Sequence, residues 1–168
     1  MNKRLIRNFP PGYDHTKEIR TVFLTNSILI ILMTISFLLS IINERHLLYI
    51  RVGPDMILNT SKLMPDFVQI LGNRLRFFPS LAMLAFVSAV ISHYIYYYGE
   101  SKSIYLMRRL PNKLELHRRC LLMPLIYALV FLITAIILLL IYYLTYMKLT
   151  PEACLSPNQW EKIWRVLN

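Results

Sequence analysis

Residues 121–147 read LLMPLIYALVFLITAIILLLIYYLTYM and contain no Asp, Glu, Lys or Arg. As a helix at about 1.5 Å per residue this run is about 40 Å long, enough to cross a hydrocarbon core of about 30 Å with some tilt. Two further runs, 21–42 and 77–98, are equally free of charge, so all 19 basic and 9 acidic residues lie in the remaining segments. Within lipid every backbone polar group must be satisfied by its own segment, and such runs therefore read as helices. The expected fold class is all-α: an integral membrane protein with three transmembrane helices, in a single membrane domain covering 1–168.

Composition supports this reading and excludes others. The 168 residues are 56% hydrophobic and 17% charged, yet carry a net charge of +10. A nucleic-acid binder spreads its basic residues through a polar chain, whereas here charge and apolar residues are segregated. The expected partner is therefore the lipid bilayer, and no nucleic acid. The first run is too long for a secretory signal core, and Ile41, Ile42, Asn43 and Glu44 offer no small-residue cleavage site.

Three spans place 1–20 and 99–120 on one side, 43–76 and 148–168 on the other. The first pair holds 11 Lys and Arg residues and the second 8. Positive charge favours the cytoplasm, so the N-terminus is expected inside and the C-terminus outside. Arg74 and Arg76, beside the second span, run against this bias. Tyrosines cluster at the span ends, Tyr94, Tyr96, Tyr97 and Tyr98 on the second and Tyr142, Tyr143 and Tyr146 on the third, where ring and hydroxyl suit the headgroup layer. No glycine lies within a span. The expected helix-packing face is instead the small side of the second span, Ala82, Ala85, Ser88, Ala89 and Ser92, at three- and four-residue spacing.

The connecting segments carry further signals. Residues 1–9 either lie on the membrane through Leu5, Ile6 and Phe9 or form a disordered basic tail, and Asp14 is a cap for the first helix. The loop 43–76 is too long for a hairpin and too short for a domain. Within it, Leu63, Met64, Phe67, Ile70 and Leu71 predict a short helix over 61–71. Asn59, Thr60 and Ser61 match the glycosylation acceptor pattern. Residues 101–110, SKSIYLMRRL, form an amphipathic cytoplasmic helix between helices two and three, with Lys102, Tyr105, Arg108 and Arg109 on one side. Pro111 stops it, and Asn112 with Glu115 begins the third helix about two turns before the span.

Chemistry-bearing patterns are missing. The chain has no GxxxxGK, GxGxxG or HExxH segment and no Cys pair at metal spacing, so no catalytic residue, cofactor or metal is expected. Cys120 and Cys154 are expected on opposite sides of the membrane. The one ionisable group inside a span is His93, which reads as an interfacial histidine ahead of a proton relay. Asn26 is the one amide in a span and is placed to bond between helices.

One segment resembles a family. A span ending in YIYYYGE, residues 94–100, is followed by SIYLMRRLPNKLELHRR, residues 103–119, and a long hydrophobic span. This order is similar to the second-to-third span region of bacterial ABC exporter permeases of the second type. The resemblance implies a bacterial cell-membrane location. It also implies that Ile104, Tyr105, Leu106, Met107, Arg108 and Arg109 form a coupling helix docking on a cytoplasmic ATPase subunit, and that residues 5–9 form a surface helix. Members of that family usually have six spans and this chain has three, so a second copy or a different membrane subunit would complete the pathway. Two functions are expected on these grounds: a permease-like subunit of an export system, or a non-transporting membrane anchor or accessory protein that binds partners.

Overall fold

The computed structural model describes residues 15–52, 55–59, 61–99 and 114–167. Three helices long and apolar enough to cross a membrane run over Thr16–His46, Arg74–Tyr96 and Cys120–Leu149, as the charge-free runs predict. The chain is an all-α, multi-pass membrane protein. In chain order the elements are α1 (His15–His46), β1 (Tyr49–Val52), β2 (Asp55–Leu58), α2 (Phe67–Leu71), α3 (Phe77–Gly99), α4 (Leu114–Leu149) and α5 (Gln159–Leu167), with 3-10 turns at Arg74–Arg76 and Glu152–Cys154. The start of α4, seven residues ahead of Leu121, agrees with a third helix that begins about two turns before the span. The amphipathic helix predicted for 101–110 and the caps at Asp14 and Asn112 lie outside the described residues.

Burial is inverted relative to a water-soluble bundle. Leu39 on α1, Met83, Leu84 and Ile95 on α3 and Leu144 on α4 are 61–67% exposed. In water such exposure forfeits about 25 cal/mol per Å² of apolar surface, whereas lipid tails accept it without loss. The outward-facing apolar side chains are what a lipid-solvated helix requires.

The chain forms two compact units, Met1–Ser27 with Phe77–Ala135, and Ile28–Arg76 with Ile136–Asn168. In the first unit, segments of α1, α3 and α4 pack around Ala89, Met123 and Tyr127, with Ile19 and Val22 against them. Asn26 Nδ2 donates to Thr134 Oγ1 at 3.1 Å, joining α1 to α4 as the lone amide was expected to do.

The second unit holds four features beyond the spans. First, the loop 43–76 does contain a hairpin, with β1 and β2 antiparallel in the register Tyr49↔Leu58 to Val52↔Asp55. Loop length is no bar, because the hairpin uses only residues 49–58, and the Gly53-Pro54 pair between two apolar runs is a turn signal.

Second, the helix expected over 61–71 begins only at Phe67. Pro65 disfavours a helical Met64, and Asp66 is extended, with φ −57° and ψ 146°. Gly72 ends the helix at φ 53°, a left-handed conformation that glycine tolerates best.

Third, the tail folds into the amphipathic α5, which docks on α2. Phe67 N–H, an orphan donor of the first helical turn, is taken by Gln159 Oε1 at 2.9 Å. Gln159 Nε2 in turn donates to Asp66 Oδ1 at 3.1 Å. Lys162 Nζ donates to the same oxygen at 2.7 Å, and this contact holds the Asp66 carboxyl below its ordinary 3.8, against the opposing pull of partial burial.

Fourth, Tyr142 and Tyr146 are buried against other side chains. Phe37 stacks on Tyr142 at 4.3 Å, and Phe67 meets Tyr143 at 5.5 Å and Tyr146 at 5.6 Å. Their hydroxyls are satisfied by Thr34 Oγ1 at 2.9 Å and the Pro65 carbonyl at 3.0 Å. A tyrosine at a span end gains more from apolar burial plus a hydroxyl partner than from the interface when folded segments lie over it.

Candidate functional site

The first unit contains a groove of about 580 Å³, walled by α1, α3 and α4. Its apolar lining includes Val22, Leu81, Leu84, Tyr127 and Phe131, while Lys17, Glu18, Thr21, Thr25, Ser88 and Ser92 supply polar atoms. Several of the hydroxyls are already committed as donors to their own helices. Ser92 Oγ donates to the Ser88 carbonyl at 2.8 Å, Ser88 Oγ to Ala85 at 3.2 Å and Thr21 Oγ1 to Lys17 at 2.9 Å. Such back-bonding satisfies a hydroxyl in an apolar setting and leaves its oxygen as an acceptor toward the groove.

Behind the polar part of the groove lies a buried ionisable pair. His93 has no exposed surface, and its Nε2 lies 3.1 Å from Glu18 Oε2, whose side chain is 14% exposed. On the other side of the ring, Nδ1 lies 3.2 Å from the Cys120 carbonyl oxygen. That carbonyl is available because of Pro124, which lies within α4 and has no N–H to give to the residue four positions earlier. A histidine ring nitrogen thus lies at the carbonyl that a proline leaves without its helical donor, and an unsatisfied carbonyl in lipid costs several kcal/mol. One turn away, Tyr94 OH and His117 Nδ1 are 2.6 Å apart, a second contact between α3 and α4.

No known protein family, curated protein or solved structure matches the chain. Its functional residues are therefore identified by placement alone. Of the predicted packing face, Ala82 and Ala89 are buried, Ala85 is half-buried, and Ser88 and Ser92 are exposed. All but Ala82 line the groove. The predicted docking residues Ile104, Tyr105, Leu106, Met107, Arg108 and Arg109 lie outside the described residues. Among the described residues no three His, Cys, Asp or Glu side chains come together to hold a metal ion. Both cysteines are free and buried.

The sequence singles out His93 but not the groups it meets. Glu18 was invisible because it precedes the charge-free run and reads as a solvated residue. Pro124 carries the usable signal: a proline inside a helix leaves the carbonyl four residues back without its helical donor, and His93 is the one histidine within the spans.

Proposed function

We propose that the chain is a permease-like membrane subunit of an ABC-type export system in a bacterial cell membrane. It would couple to a separate cytoplasmic ATPase through residues 104–109 and be completed by a second copy or a different membrane subunit. The observation that supports this reading is the groove along the small face of α3. Its Ser88 and Ser92 are exposed on a surface where close helix approach is sterically easy, which fits a bundle awaiting further helices. The groove's mixed lining also suits a path that must pass polar groups through an apolar layer.

A second reading, a non-transporting anchor, is favoured by a different feature. The docked α2 and α5 form a folded, polar-edged layer joined by Lys162, Asp66, Ser156 and Gln159, as a partner-binding platform would require.

Affinity purification from the native membrane separates the two. Under the export reading an ATPase subunit co-purifies with the chain, and Arg108→Glu with Arg109→Glu abolishes that association while membrane insertion is unchanged. Unaltered recovery of the ATPase with the double variant, or no ATPase at all, favours the anchor.

A further inference from the structure

We propose that Glu18 and His93 form a proton-binding site that holds one transferable proton between Glu18 Oε2 and His93 Nε2. The far side of the ring sets the condition. Nδ1 lies 3.2 Å from the Cys120 carbonyl oxygen, the one freed by Pro124, and a carbonyl only accepts, so Nδ1 carries a hydrogen. A neutral imidazole has a single N–H. With that hydrogen committed to Cys120, Nε2 of the neutral ring is a lone pair. Yet Nε2 lies 3.1 Å from Glu18 Oε2, and an ionised carboxylate is also an acceptor only. Two acceptors at this distance in a buried site repel unless a proton sits between them.

The bound form is therefore an imidazolium facing a carboxylate, or a neutral ring accepting from a carboxylic acid. Both contain one proton more than the neutral ring with an ionised carboxylate. Because the two groups share the proton, the titration belongs to the pair and not to either residue. The proton exchanges with solvent through Glu18, which lines the groove, while His93 is sealed behind it. Its release leaves the ring one N–H, which can serve the Cys120 carbonyl or Glu18 but not both, so protonation state and helix contact in this unit are linked.

The charged and titratable groups around the pair come from all three helices: Lys17 beside Glu18 on α1, Tyr94 beside His93 on α3, and His117, Arg118 and Cys120 on α4. The inference concerns the pair itself and stands apart from the export reading.

The test is a titration of the full chain, with ¹⁵N-labelled histidine, in lipid nanodiscs from about pH 5 to about pH 9, the span in which histidine changes charge. His93 is assigned by its loss in His93→Gln. Nitrogen shifts report imidazolium or the Nδ1–H tautomer, and the infrared carboxylic-acid band assigned by Glu18→Gln reports a proton on Glu18. Expected is one bound proton at the acid end, on either atom, and a neutral ring with ionised Glu18 at the basic end. In Glu18→Gln the amide can still donate to Nε2 of a neutral ring, and the His93 nitrogen signals differ from those of the parent chain across the range. A neutral ring with ionised Glu18 throughout the range, or a His93 titration unmoved by Glu18→Gln, overturns the proposal.

Discussion

Arg74 Nε donates to Ser36 Oγ at 3.0 Å, tying the 3-10 turn after α2 to the middle of α1. The same guanidinium donates to the Leu71 carbonyl at 3.1 Å and also reaches the Ile70 carbonyl and Ser40 Oγ. It therefore closes the C-terminal end of α2, whose last carbonyls have no helical donors. In the sequence Arg74 counts as a juxtamembrane charge opposing the expected orientation. In the structure it is a half-buried fork fixing two elements.

Replacing that fork is expected to be costly. Lysine keeps the charge but cannot span several acceptors in one plane. Arg74→Lys should lower stability by about 1.5–3 kcal/mol, the range for losing hydrogen bonds to a charged group. Thermal unfolding in detergent micelles measures it, and a variant as stable as the parent would show that the fork contributes nothing.

Phe67 is fully buried against Phe37, Tyr143 and Tyr146. Phe67→Ala should destabilise the second unit by about 3–5 kcal/mol, combining lost transfer energy with a cavity. Phe67→Leu, which keeps most of the volume, should be clearly milder. Equal losses in the two variants would mean that ring volume is not what the site uses.

The acid response follows from Asp66. Its carboxyl is held below 3.8 in the folded chain, chiefly by the hydrogen bond from Lys162. A depressed carboxylate contributes stability that is fully present above the unfolded value and lost as pH falls through the folded one. Docking of α5 on α2 should thus hold at neutral pH and weaken below about pH 4. In Asp66→Asn that acid step should disappear. Fluorescence of Trp160, which packs on Tyr143 at 5.2 Å, reports docking in a Trp164→Phe background.

Asn26 donates to Thr134, but its buried Oδ1 has no hydrogen-bond partner among the described residues. The amide's gain is offset by that orphaned acceptor, and Thr134 keeps its own bond to the Val130 carbonyl at 2.8 Å. Asn26→Leu should therefore change stability by less than about 1 kcal/mol, in keeping with the small net value of polar contacts between membrane helices. A larger loss, measured by unfolding in micelles, would assign the amide a role beyond this single bond.

Ser88 is exposed and lines the groove. Ser88→Leu should leave the chain's own stability within about 0.5 kcal/mol, as for surface substitutions generally. It should also fill the groove and reduce recovery of membrane partners from native membranes. Undiminished recovery would remove the groove from the proposed assembly surface.

The sequence by itself determined the three apolar helices, because absence of charge over about 20 residues is a local property and lipid leaves the backbone no alternative to a helix. It also marked His93, Asn26 and the small face of α3 as unusual, since polar or small residues in such runs stand out. What it left undecided were the partners. His93 meets the Cys120 carbonyl 27 residues away and Glu18 75 residues away, and Gln159 reaches back 92 residues to Phe67 N–H. Those pairings depend on how the helices are rotated and stacked, which composition and spacing do not encode. Tertiary structure alone turned a charged flanking residue, a proline and a solitary histidine into one buried site, and set Gln159 of α5 at the start of α2.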